Sequence, residues 1–111
     1  MPNTLPLAHA PSAQHTTDTE LAALAARGEQ AAFEAIMRRH NRLLFRTARS
    51  ILKNDADAED ALQDAYLRAW RALDSFRADA KLSTWLVRIV ANEALGRLRR
   101  HQATLIPLDA A

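Results

Sequence analysis

Residues 55–100 decide the fold, and they read DADAEDALQDAYLRAWRALDS (55–75), FRADAK (76–81) and LSTWLVRIVANEALGRLRR (82–100). In the first segment, apolar residues recur three or four positions apart, at Ala58, Leu62, Tyr66, Ala69, Trp70 and Leu73. The last segment repeats this spacing, at Leu82, Trp85, Leu86, Ile89, Val90 and Leu98. Because such spacing forms one face of an α-helix, the stretch predicts two helices. Residues 76–81, the connecting loop, join them.

The composition predicts an all-α fold. A length of 111 residues suits one compact domain of about four helices, and 49% of the residues are apolar while only two are glycine. The absence of cysteine excludes disulfides and thiolate metal sites. No apolar run approaches the roughly 20 residues of a membrane-spanning helix, and no signal peptide is apparent. We therefore predict a cytoplasmic protein without membrane insertion, metal or cofactor.

The remaining segments complete the domain. Residues 1–17 contain three prolines and no charged side chain, which predicts a disordered leader. Helices are expected from Thr17 or Asp18 to Gly28, from about 29 to 53, from about 55 to 75, and from about 80 to 101, the last capped by Asp79. Residues 103–111 are expected to begin a linker, since Pro107 blocks helix continuation. The predicted core is Leu24, Phe33, Ile36, Leu43, Leu44, Ala48, Leu62, Tyr66, Ala69, Trp70, Trp85, Leu86 and Ile89.

Charge is distributed unevenly along the two decisive helices. Residues 55–64 hold five acids and no base, whereas residues 77–100 hold six bases against two acids. One interpretation is that these are solvated helix faces, with acids near a helix start and bases near a helix end. The alternative is that the two helices bind partners of opposite charge.

The fourth helix carries the pattern with most functional content. Thr84, Arg88 and Asn92 recur at intervals of four and predict one exposed ridge, with Arg99 near its extension. The connecting loop adds Phe76, unpaired backbone groups and bases. Bases suit phosphates, and amide and aromatic groups suit an unstacked base, so single-stranded nucleic acid is a candidate ligand. The alternative is that Asn92 is a surface residue without a role. No phosphate-binding loop, HExxH motif or nucleophile elbow occurs, so no enzyme is predicted.

Residues 57–73, the pair Phe76-Arg77 and residues 83–92 together resemble region 2 of bacterial RNA polymerase sigma factors of the extracytoplasmic-function (group IV) class. The resemblance covers about residues 18–101, and the domain is expected to span residues 18–102. It implies binding of core polymerase, at the β′ clamp coiled coil, through Asp60, Gln63 and Asp64. It also implies recognition and melting of the promoter −10 element, with a non-template base captured by the loop. The residues implied in DNA binding are Phe76, Arg77, Lys81, Leu82, Thr84, Trp85, Arg88, Asn92 and Arg99.

Further expectations follow from the resemblance. An anti-sigma factor is implied as a partner, since the class is usually held inactive by one. Ala78 stands where the family often has glycine, and Ser83 where it often has an aromatic or small polar residue, so base preference stays open. The family's C-terminal domain, which reads the −35 element, is expected to be absent. The alternatives are a duplex-DNA-binding helical regulator and a helical interaction module that binds no nucleic acid.

Overall fold

The structure is a computed structural model that describes residues 16–77 and 79–105, with side chains described as far as residue 103. This part of the chain forms four α-helices and no strand: α1 (Asp18–Ala26), α2 (Gln30–Leu52), α3 (Asp55–Ala72) and α4 (Leu82–Leu105). A 3-10 turn, Leu73–Ser75, extends α3. The all-α prediction is confirmed, while most of the predicted leader and linker lies outside the described residues. Among the described helices, none has the length and apolar character needed to cross a membrane.

Local sequence signals fix both ends of α1 and the start of α3. Thr17 caps α1 in a capping box, in which its hydroxyl accepts a hydrogen bond from the Glu20 amide and its own amide donates to the Glu20 carboxylate. Gly28, at φ +98°, provides the left-handed residue after α1. Asn54 caps α3 by accepting a hydrogen bond from the Asp57 amide at 2.8 Å. These boundaries were therefore readable from the sequence.

Both ends of α4 differ from the prediction. The Trp85 amide donates to the Lys81 carbonyl at 3.1 Å, which makes Lys81 the N-cap residue of a helix that begins at Leu82. Asp79 does not cap α4, because it lies in a turn in which the Ala80 amide donates to the Arg77 carbonyl. At the other end the helix continues to Leu105, past the predicted end at His101. Residues 101–105 contain no glycine or proline to stop it.

The core lies where α2, α3 and α4 pack against one another, with α1 laid across α2. Its largest fully buried side chains are Ile36, Leu44, Leu62 and Val90. Small residues fill much of the remaining interface, since six alanines described on these helices are at most 1% exposed: Ala48, Ala58, Ala61, Ala65, Ala69 and Ala94. A methyl side chain lets neighbouring helix backbones approach closely, so this alanine face sets the spacing of the bundle.

Parts of the predicted core are less buried than expected. Leu43 is 39% exposed and does not belong to the core. Its neighbour Leu44 is fully buried, and adjacent residues of an α-helix point about 100° apart. Partly buried side chains that border the core are Leu24, Tyr66, Trp70, Trp85 and Ile89. Tyr66 keeps its hydroxyl at the edge, where it donates to the Asn41 amide oxygen at 2.6 Å. Burial, with a smaller contribution from the Glu59 carboxylate, raises the pKa of Tyr66 to about 12, so its ring stays neutral.

Candidate functional site

Polar side chains and an exposed leucine lie on the surface of α3 that faces away from the core. Asp60 and Gln63 are exposed, and Leu67, one turn after Gln63, is 53% exposed. Helical periodicity explains the arrangement, since the core-facing positions of α3 are taken by alanines and Leu62. We call Asp60, Gln63 and Leu67 the α3 face. An acidic and amide-bearing face of this kind complements a basic partner surface.

Asp64 makes a contact that the sequence analysis did not predict. Its carboxylate accepts a hydrogen bond from the Arg97 guanidinium of α4, and its side chain is 48% exposed. Asp64 thus forms an ion pair that joins α3 to α4, and its carboxylate is only partly accessible to a partner. Reversing its charge would set a cation against Arg97, so we expect such a change to lower stability as well as to alter the surface. No local pattern indicates this pairing between residues 33 positions apart.

An apolar groove between α2 and α3 borders the α3 face. Its floor includes the rings of Phe33 and Trp70, whose centroids lie 5.1 Å apart in a tilted arrangement. Met37, Tyr66 and Leu67 add apolar surface, and Gln30, Glu34 and Gln63 line the rim. Leu67 lies outside the core-facing stripe of α3, and this position was the available sequence signal for the groove.

The ridge on α4 has the geometry that its spacing predicted. Thr84, Arg88 and Asn92 are all exposed, and a helical rise of about 1.5 Å per residue spreads them over about 12 Å. Asn92 also lines a cleft between α3 and α4, together with Arg68, Ala72, Ile89, Glu93, Gly96, Arg99 and Arg100. Glu93, only 9% exposed, accepts a hydrogen bond from Arg68 at 2.5 Å. The cleft therefore presents one amide beside arginine side chains.

The connecting loop is anchored by an aromatic pair. The rings of Phe76 and Trp85 are tilted at 53° with centroids 5.4 Å apart, and both side chains are partly buried. Arg77 and Lys81 are exposed. Leu82 is only 3% exposed, so the structure places it in the core rather than on a DNA-binding surface. Trp85 was predicted to be largely buried. Its side chain is instead partly buried and contacts both the core and the Phe76 ring of the loop.

A further cleft separates the connecting loop from the start of α1. Residues 79–83 form one wall and residues 17–19 form the other. This cleft shares no residue with the one that contains Asn92. The connecting loop and Asn92 thus line two separate clefts of the described residues.

Comparison with known proteins agrees with this architecture. The family described as Sigma-70 region 2 matches residues 36–104. The ECF RNA polymerase sigma factor SigM of Mycobacterium tuberculosis strain H37Rv is 51% identical over 87 residues, which is 78% of this chain and 44% of that protein. The chain thus spans less than half the length of this curated relative.

Two solved structures are also similar. An NMR structure of an engineered region 2 of sigmaE in complex with GTAAAA superimposes with a TM-score of 0.77 at 32% identity, covering 85% of this chain and 98% of that one. A structure of CnrH in complex with the cytosolic domain of CnrY gives a TM-score of 0.63 at 41% identity, covering 68% of this chain and 49% of that one.

The four-helix fold is that of a sigma-factor region 2, and the chain belongs to the sigma-70 region 2 family. Within that family its relatives are sigma factors of the extracytoplasmic-function class.

Proposed function

We propose that this domain binds core RNA polymerase and recognises the promoter −10 element as an unpaired strand, and so helps to melt the promoter. The observation that carries the proposal is the exposed α4 ridge beside the aromatic-anchored loop, in a fold shared with a sigmaE region that binds GTAAAA. Affinity for the unpaired strand over the duplex shifts the equilibrium toward the melted promoter. The role is one of binding, without catalysis, and belongs in the cytoplasm with polymerase and DNA.

On the DNA side, we assign separate tasks to the two clefts. Arg77 and Lys81 hold phosphates beside the loop cleft, which receives one unstacked base. Asn92 reads the edge of another base, since its amide offers both a donor and an acceptor. Arg88, between the two, contacts the backbone, and Thr84 and Arg99 extend the same track. Phe76 and Trp85 shape the loop and supply aromatic surface for stacking.

On the polymerase side, we propose that the α3 face docks on the β′ clamp coiled coil. Asp60 supplies the charge and Gln63 supplies amide hydrogen bonds, while Asp64 contributes from its place beside Arg97. Leu67 and the neighbouring apolar groove give the contact an apolar centre within a polar rim, as interfaces commonly have. Residues 18–102 would constitute the whole binding unit, followed by the start of a linker.

We also propose an anti-sigma factor as a regulatory partner. The support is the complex between CnrH, a relative of this chain, and the cytosolic domain of another protein. The domain itself needs no cofactor for any of these contacts, because every proposed interaction uses side chains and backbone groups of the chain.

The polymerase assignment predicts a selective effect of Asp60→Lys. Because Asp60 is exposed and no ion pair of the described residues includes it, the change should alter stability by no more than about 0.5 kcal/mol. The dissociation constant for core polymerase, measured by fluorescence anisotropy at two salt concentrations, should rise about tenfold or more as an attractive contact becomes repulsive.

Asp74→Lys is the matched control, because Asp74 is an exposed acid in the 3-10 turn, outside the α3 face. It should leave polymerase affinity within about twofold of the unmodified chain. Equal affinity of the Asp60→Lys variant and the unmodified chain would remove Asp60 from the interface.

A further inference from the structure

The start of α1 is tied to α2 by a three-residue cluster. One carboxylate oxygen of Asp18 accepts a hydrogen bond from Arg39 at 2.8 Å, and the other lies 3.0 Å from Nε2 of His40. The side chains are 30% exposed for Asp18, 29% for Arg39 and 12% for His40. Both oxygens are thus held by adjacent residues of one helix, which fixes the first turn of α1 in position and orientation.

That first turn stands directly across from the connecting loop. Residues 17–19 form the wall of the cleft that faces residues 79–83. Farther along α1, Leu21, Ala22 and Ala25 are buried against the core, and α1 packs on the 3-10 turn and on α4 as well as on α2. The position of α1 therefore determines the width of the loop cleft.

The described residues of the loop have few internal restraints. Among the described residues near it, backbone hydrogen bonds join Phe76 to Leu73, Ala80 to Arg77 and Trp85 to Lys81. The side chains of Arg77, Asp79, Ala80 and Lys81 are exposed, so they do not anchor the loop in the core. A segment of this kind takes its conformation largely from the surfaces beside it. Here those surfaces are the Phe76–Trp85 ring pair and the first turn of α1.

We propose that Asp18, held by Arg39 and His40, is a positioning residue for the loop cleft and thereby helps to set which base the cleft accepts. This inference rests on the proposed function and extends it to α1, outside the residues matched by the family. Asp18 need not touch DNA. Its contacts keep the α1 wall at the distance that suits one base, and loss of the contacts widens the range of bases that fit.

The experiment compares Asp18→Ala and Asp18→Asn with the unmodified 111-residue chain. Each protein is titrated with the single-stranded hexamer GTAAAA and its one-base variants, and the ratio of dissociation constants is recorded at each position. Asp18→Ala should lower the discrimination ratio at one position by about two- to thirty-fold, the range for residues that act on a site without contacting the ligand. Asp18→Asn, which keeps one acceptor oxygen, should give an intermediate ratio.

Asp55→Ala is the matched control. Asp55 is also the first residue of a helix and also pairs with an arginine of α2, since its carboxylate lies 2.6 Å from Nε of Arg49. It does not line the loop cleft. This variant should keep the ratio of the unmodified chain. Amide chemical shifts of residues 79–83 should change in Asp18→Ala and Asp18→Asn but not in Asp55→Ala.

The possible results separate the proposal from the proposed function. If the unmodified chain discriminates among hexamers and both Asp18 variants discriminate equally well, the positioning role is wrong while the proposed function stands. If the unmodified chain binds no single strand, both are wrong. Because Asp18→Asn preserves the shape of the side chain, the comparison holds even if Asp18→Ala folds poorly.

Discussion

Leu44→Ala should lower the free energy of unfolding by about 2–5 kcal/mol, the range for a buried leucine cut back to alanine. Leu44 is 0% exposed, at the centre of the α2, α3 and α4 interface. The facing alanines have no side chain long enough to fill the space that the change leaves. A domain of this size has a total stability of about 5–15 kcal/mol, so the loss would be a large fraction of it. Urea denaturation measures the difference in unfolding free energy between the two proteins. It is followed by circular dichroism at about 222 nm, a wavelength that reports helix content.

Leu43→Ala is the matched control, with the same chemical change one residue away. Leu43 is 39% exposed, so its truncation should cost about 1 kcal/mol or less. Equal losses for the two variants would contradict the helical register of α2 described above.

Asn92→Ala should reduce the affinity for the preferred single strand by about 1–3 kcal/mol and flatten base discrimination at one position. The reason is that Asn92 offers a donor and an acceptor from an exposed ridge, beside the arginine side chains of the α3–α4 cleft. Alanine preserves the helix but has no side-chain group that can form a hydrogen bond with the edge of a base. Titration of single-stranded hexamers, varied one base at a time, measures both effects. Unaltered discrimination would remove Asn92 from the recognition surface.

Arg88→Ala, one turn away on the same ridge, provides the contrasting variant. A phosphate contact does not depend on the identity of the base, so the affinity for every single strand should fall by a similar factor. The slope of log affinity against log salt should fall in magnitude by about 0.7, the value for one phosphate on a single strand. Asn92→Ala tests base recognition, through the loss of discrimination at one position. Arg88→Ala tests attraction to the phosphate backbone, through the change in salt dependence.

Helical periodicity predicted most of the fold. The four helices and the caps at Thr17 and Asn54 follow from local chemistry, which acts within one or two turns. The alanine face of α3 was less visible, because alanine is a good helix former at exposed and buried positions alike. Leu43 and Leu44 could not be told apart, since adjacent apolar residues at the edge of a stripe differ only in how the helices pack.

Exposure of the candidate site residues could be predicted where it depends on one helix. Contacts that depend on the packing of two helices could not be predicted. Exposure of Thr84, Arg88 and Asn92 follows from their spacing alone. Burial of Leu82 depends on where α4 begins, and capture of Asp64 by Arg97 depends on the packing of α3 against α4. The contacts of Asp18 with α2 likewise join residues more than 20 positions apart, which no local pattern reveals.

The most direct test of the central claim is a comparison of unpaired and paired DNA. The 111-residue chain is titrated with single-stranded GTAAAA, the sequence bound by the related sigmaE region, with its one-base variants, and with a duplex that contains the same bases. The account predicts tighter binding to at least one single strand than to the duplex, with discrimination among the variants. Tighter binding to the duplex, or binding to neither form, would contradict it.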